Sequence, residues 1–222
     1  MARIAAEERA EKMARTLIQI GAVGARLDEP FTLTSGTKSP VYIDVRRLIS
    51  FVNEREEAVH MLADLVEETL KDPAEAVAGG ETAGIPYAAF LSAKMRLPML
   101  YVRKKAKGFG RNAQVEGYIE EGKRTILVED LMFDGGSKVN FVHGLRNAGL
   151  KVGHVFTIAS YGLVEEYEKT LGAIGVQARW LTDWPAIVDA GEKTGFFGKA
   201  AANHIRDFLK DPHAWSQARG GK

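Results

Sequence analysis

Glu129 and Asp130 stand side by side after the uncharged run Ile126–Val128, and a glycine pair, Gly135 and Gly136, follows shortly after them. A short apolar run of this kind reads as a buried strand, and open α/β sheets receive ligands beyond the carboxyl ends of their strands. Glycines there let the backbone turn tightly with its N–H groups exposed. A helix beginning near Ser137 brings the positive end of its dipole to the same place. Amides and dipole suit a phosphate. The two acids suit the hydroxyls of a sugar and any positive charge that develops on its ring. Together they describe a site for a ribose phosphate. The same residues also fit a plainer arrangement, acids stabilising a helix N-terminus ahead of a Gly-Gly turn. From these residues alone the two readings stand level.

A second cluster is RKKAKGFGR (103–111), five cations in nine residues with two glycines. A solvated charge run, or a nucleic-acid contact, is the ordinary meaning of such a stretch. Its position after a predicted strand end suits a mobile loop that closes over a small, highly charged ligand and stabilises an anionic leaving group. The net charge of +1 supplies no global field for nucleic acid or an anionic membrane.

Other patterns fail on context. GYIEEGKR (117–124) has the outline of a phosphate loop, but Arg124 stands where Ser or Thr is needed and a strand follows instead of a helix. GFGRNA (108–113) lies in a charged loop with no helix opening. The five histidines are scattered and form no metal-ligand spacing, and no Gly-x-Ser-x-Gly elbow occurs.

The elements that must hold these clusters follow a strand–loop–helix rhythm. AVAGG is a short strand before the helical ETAGIPYAAFLSAKM; PMLYV, RTILVE, VGHVFTIAS and VQARWLT are further strands. Helices are predicted over 3–27, from a cap at Asn53 to about Leu70, over SKVNFVHGLRNAG, VEEYEKTLGAIG and WPAIVDAG, and over 197–209. The expected architecture is α/β, a mostly parallel sheet flanked by helices, with an N-terminal hood. One domain is expected over 1–222: a hood subregion at 1–46, an α/β core at 47–190 and a helical end at 191–222. The tail SQARGGK is expected to fray. The chain has 222 residues, 45% of them hydrophobic, and no cysteine, which excludes disulfides, thiolate metal sites and a cysteine nucleophile. The opening MARIAAEERAEKMAR has no apolar core of a signal peptide, and no stretch approaches the ~20 apolar residues of a membrane span. A soluble, cytoplasmic protein with no membrane or nucleic-acid partner is expected.

ILVEDLMFDGGS (126–137) resembles the phosphoribosyl pyrophosphate motif of the type I phosphoribosyltransferases. FTLTSGTKSPVYID (31–44), GGETAGIPYAA (79–89) and YVRKKAKGFGRNAQVEG (101–117) resemble further stretches of the members that act on the pyrimidine orotate, in the same order. The resemblance covers about residues 13–160. It implies transfer of phosphoribose to a base, favouring orotate; a different acceptor base, or a non-enzymatic regulator that binds phosphoribosyl pyrophosphate, are the alternatives. By the resemblance, Glu129 and Asp130 hold the ribose hydroxyls, and Asp134, Gly135, Gly136 and Ser137 cradle the 5′-phosphate, with Leu131, Met132 and Phe133 in the same motif. Thr82 and Ala83 meet pyrophosphate through backbone groups; Arg103, Lys104 and Lys107 neutralise it, with Phe109 beside them. Lys107, Glu129 and Asp130 are the implied catalytic residues. Thr34, Tyr42, Ile43, Phe133 and Tyr161 are the implied base-binding set. Mg²⁺ bridging pyrophosphate and ribose oxygens, and a homodimer whose loop 103–117 reaches the other subunit's site, are also implied; protein ligands for the metal are not assigned.

The chain departs from the family pattern on both the phosphate and the base side. Phe109 stands where many members carry a histidine, Phe133 where a threonine is usual, and Thr34 where a lysine is frequent. Asp134 puts a negative charge beside the phosphate, and SYG (160–162) occupies the region of an arginine that often meets the base carboxylate.

Overall fold

The computed structural model describes residues 4–33, 35–108 and 114–222; Thr34 and Phe109 lie outside the described residues. Helix α1 (Ala6–Gln19) is followed by short strands β1 (Val23–Ala25), β2 (Phe31–Thr32), β3 (Lys38–Ser39) and β4 (Val41–Ile43). A 3-10 turn over Val45–Ser50 leads into α2 (Val52–Thr69). Then come β5 (Ala76–Gly80), α3 (Gly84–Met95), β6 (Met99–Val102), β7 (Val115–Glu116), β8 (Thr125–Met132), α4 (Gly136–Asn147), β9 (His154–Ser160), α5 (Val164–Thr170) and β10 (Gln177–Asp183). Helices α6 (Trp184–Thr194), α7 (Lys199–Lys210) and α8 (Pro212–Gln217) complete the chain.

The central sheet has the order β10-β9-β8-β5-β6-β7, parallel throughout except for the β6–β7 pair. All five residues of β5 and the first five of β8 are buried, as expected of strands covered on both faces. From β5 the chain builds outward to β6 on one side; from β8 it builds outward to β9 and β10 on the other. The order therefore reverses between β5 and β8, which opens a crevice beyond their carboxyl ends.

The expected helix over 3–27 stops at Gln19, because Gly21 takes a left-handed φ of 69° that no helix continues through. Residues Val23–Ala25 instead pair antiparallel with Val41–Ile43, and β2 pairs with β3; these two ribbons form the hood-like part of the N-terminal region. Helix α1 packs on β10 and α6, with the core layers. Asn53 lies inside α2 rather than capping it. The tail also differs from expectation. Ser216 is fully buried; its hydroxyl accepts from the Lys38 amide at 2.8 Å and donates to the Lys222 carbonyl at 2.7 Å, so the C-terminus docks on the β2–β3 ribbon.

Candidate active site

Three segments meet at the β5/β8 crevice: the turn after β5, the end of β8 with the loop into α4, and the loop joining β6 to β7. Gly80 closes β5, Gly84 opens α3, and the Glu81–Thr82 peptide between them is cis. A Cβ on either glycine would collide with the Glu129 carboxylate, so both positions require glycine for that side chain to lie where it does. Thr82 is exposed and Ala83 half-buried on this turn.

The two acids are unlike. Glu129 is 6% exposed; its Oε2 pairs with Lys138 Nζ at 3.0 Å, and its Oε1 has no hydrogen-bond partner. Burial pushes the Glu129 carboxyl up to about 7; Lys138 opposes that rise and the neighbouring Asp130 charge adds to it. Asp130 is half-buried, and its carboxyl is also raised by burial, against the pull of Lys138, of backbone amides and of Arg46. Beyond them Leu131 and Phe133 are half-buried and Met132 is fully buried, so Met132 offers packing and backbone only.

Gly135 precedes the first turn of α4, where Gly136 and Ser137 are exposed. Asp134 caps this turn itself: its Oδ1 accepts from the Gly136 amide at 2.9 Å, while its carbonyl accepts from Thr170 Oγ1 at 3.0 Å. The acid thus occupies an amide that an incoming phosphate would compete for.

The basic segment is a loop over its described residues 103–108, as read from the sequence, and it leaves β6 beside the antiparallel partner strand β7. Arg103 exchanges backbone and side-chain hydrogen bonds with Gln114 at 2.8 Å, and β7 continues the pairing. Two cations converge on one acid, Lys107 Nζ at 2.9 Å and Arg103 at 3.5 Å from Glu116 Oε1. The Lys104 amide donates to Glu81 Oε2 at 2.8 Å and its carbonyl accepts from Asn140 Nδ2 at 3.1 Å, which ties the loop to the β5 turn and to α4.

On the hood side, Tyr42 is 37% exposed, and its ring lies 5.6 Å from that of Phe31. The Ile43 side chain is buried in the core. Phe133 and Tyr161 do come together, rings 4.7 Å apart and edge-on, with His213 of α8 5.9 Å from Phe133. Tyr161 is itself buried, and burial pushes its phenol up to about 12.

Several residues here carried no role in the sequence reading. Arg46 donates to Tyr42 Oη at 3.1 Å and to Asp44 Oδ1 at 2.9 Å, stays largely exposed, and feels the charge of Asp130. Its 3-10 turn packs against β8. Lys138 had a legible signal: a cation in the first turn of a helix opposes the dipole and calls for an acid close by. Glu81 and Glu116 had none, since their partners come from separate segments.

A cavity of about 720 Å³ lies at the opposite end of the sheet, beside Thr125, His154 and Gln177. It touches none of these residues. Among the described residues no group of three or more His, Asp or Glu side chains is placed to hold a metal, and no helix is long and apolar enough to cross a membrane.

No family model matches the chain. It is 46% identical over 214 residues to an orotate phosphoribosyltransferase of Ruegeria sp. (strain TM1040), covering 96% of this chain and 95% of that one. A solved orotate phosphoribosyltransferase from Aeropyrum pernix superposes with a TM-score of 0.70 at 33% identity, covering 84% of this chain and 99% of the other. UMP synthase of Leishmania donovani shares the fold, with a TM-score of 0.77 at 24% identity; the match covers 90% of this chain but 42% of that longer one. Near-complete coverage in both directions at this identity, on a sheet of the type I phosphoribosyltransferase fold, shows that the chain belongs to the orotate phosphoribosyltransferase family.

Proposed function

We propose that the chain transfers phosphoribose from phosphoribosyl pyrophosphate to orotate, forming orotidine 5′-phosphate and pyrophosphate for pyrimidine synthesis. The observation that carries this reading is the crevice between β5 and β8, on which acids, phosphate loop, pyrophosphate turn and basic loop converge in a member of this family. Exposed Gly136 and Ser137 at the N-terminus of α4 bind the 5′-phosphate, which displaces the Asp134 carboxylate from its amide. Asp130 accepts from the ribose hydroxyls. Thr82 and Ala83 meet pyrophosphate through the backbone, and Arg103, Lys104 and Lys107 neutralise it once Lys107 leaves Glu116.

The C1–oxygen bond to pyrophosphate breaks ahead of the C1–N1 bond to orotate; pyrophosphate leaves with the bonding electrons, and the N1 proton passes to it or to water. Asp130 favours the positive charge that builds on the ribose between the two events. A Mg²⁺ ion would enter with the substrate, and no protein ligand is assigned to it. Bound there, it would spread the leaving group's charge. Tyr42 and Phe133 flank the base, and Arg46 supplies the cation for its carboxylate that the SYG region lacks. The chain acts as a homodimer in which the 103–117 loop serves the partner's site.

Spectrophotometric turnover of orotate, set against uracil and a panel of purines, tests the assignment: orotate alone is consumed. Turnover of a purine with orotate untouched contradicts it. Mixing the impaired Lys107→Ala and Asp130→Asn proteins tests the shared site, since mixed dimers exceed the activity of either parent only if the loop crosses.

A further inference from the structure

The buried lysine that follows the phosphate loop has no part in the chemistry so far. Lys138 is 7% exposed, the third residue of α4, where the helix dipole disfavours a cation. Its ammonium lies 3.0 Å from Glu129 Oε2 and donates to Ser137 Oγ at 3.2 Å. The other Glu129 oxygen is buried, without a partner, and lies against Gly80 and Gly84, which flank the pyrophosphate turn. One ammonium therefore joins the loop that receives the 5′-phosphate to a carboxylate wedged against the turn that receives pyrophosphate. A buried ion pair is a poor way to gain stability, because apolar side chains of similar volume fill such space at least as well. Packing alone gives no reason for a lysine and a glutamate here, nor for the two glycines that make room for the glutamate.

We propose that Lys138 is a positioning residue which, through Ser137 and Glu129, couples seating of the 5′-phosphate to the geometry of the pyrophosphate turn. When the phosphate takes the Ser137 hydroxyl, the ammonium keeps Glu129 in place, and the Gly80–Gly84 turn stays set for the far end of the same substrate. The residue touches no reacting atom. This inference rests on the ribose-phosphate reading of the crevice given above.

The test compares wild type with Lys138→Met, Lys138→Arg, Glu129→Gln and the double variant Glu129→Gln/Lys138→Met. Steady-state kinetics are read in both substrates, melting temperature by calorimetry, and ribose 5-phosphate and pyrophosphate binding by titration. Lys138→Met is expected to lower kcat/KM for phosphoribosyl pyrophosphate by about 100-fold while KM for orotate stays within about twofold. Lys138→Arg should recover at least about tenfold of that loss. In wild type, bound ribose 5-phosphate should tighten pyrophosphate binding, and Lys138→Met should abolish the effect. The double variant, with no stranded charge, should fold like wild type and be no slower than the worse single variant. Lower melting temperature with unchanged kinetics and unchanged coupling would reduce Lys138 to a structural pair and overturn the proposal. So would wild-type kinetics in the folded double variant, which decides the matter if Lys138→Met does not fold. If wild type neither binds phosphoribosyl pyrophosphate nor turns over orotate, the parent reading fails instead, and the two failures are distinct.

Discussion

The end of β8 on one side, and the hood and the basic loop on the other, present their groups by opposite means. At β8 the groups are fixed from inside: Glu129 and Lys138 are buried, glycines are shaped to the carboxylate, and a helix start supplies amides. On the other side the groups are exposed or half-buried side chains that hold one another, Lys107 and Arg103 on Glu116, and Arg46 on Tyr42 and Asp44. Buried elements are rigid and intolerant of change. Exposed ion pairs are each worth about 1 kcal/mol or less and are easily exchanged for a charged ligand. The first region suits a part of the substrate that is always the same. The second suits parts that arrive, react and leave.

Substitutions should break this contrast in a definite order. Gly80→Ala should have the largest effect, since the new methyl meets Glu129 and Phe141 in a packed interior. Activity should fall by at least about 1,000-fold with a clear drop in Tm by calorimetry, a loss of about 3 kcal/mol or more. Lys107→Ala should come next. Turnover should drop about 100-fold at saturating substrate, yet Tm should stay within about 1 °C because the residue is 64% exposed. A large Tm loss would place Lys107 in the scaffold instead. Arg46→Gln should raise KM for orotate about tenfold, leave KM for phosphoribosyl pyrophosphate unchanged, and narrow the preference for orotate over uracil. Equal effects on both substrates would remove Arg46 from the base side.

The smallest effect is a slope. Glu129 releases its proton near 4.5 in the unfolded chain and near 7 in the folded one. Between those values the folded protein holds the extra proton, so its contribution to stability falls as pH rises from about 4.5 to about 7 and is level above. Urea melts across that range should show the decline in wild type and a flatter profile in Glu129→Gln, whatever that variant's absolute stability.

The same contrast explains what the sequence disclosed. The β8 motif was readable because strand, acids, glycines and helix are contiguous, and the alternation of apolar runs gave the parallel sheet. Short-range pattern could not supply β7, two residues long and held by pairing with β6. Nor could it supply the docked tail, whose anchor is Ser216 on the Lys38 amide, 178 residues away. The helix over 3–27 overran because Gly21 reads as a weak helix residue, whereas its left-handed backbone makes it a terminus. Within the site, residues whose partners lie on other segments were invisible: Glu81 to Lys104, Glu116 to Lys107, Arg46 to Tyr42. Ile43 and Tyr161 were named for the base by resemblance, and their side chains are buried.

A crystal structure with ribose 5-phosphate bound bears most directly on the crevice as the ribose-phosphate site. The account predicts the phosphate on the Gly136 and Ser137 amides, with Asp134 turned away and the 2′- and 3′-hydroxyls at Asp130. Density in the cavity beside Thr125, His154 and Gln177, with Asp134 still bonded to Gly136, would contradict it.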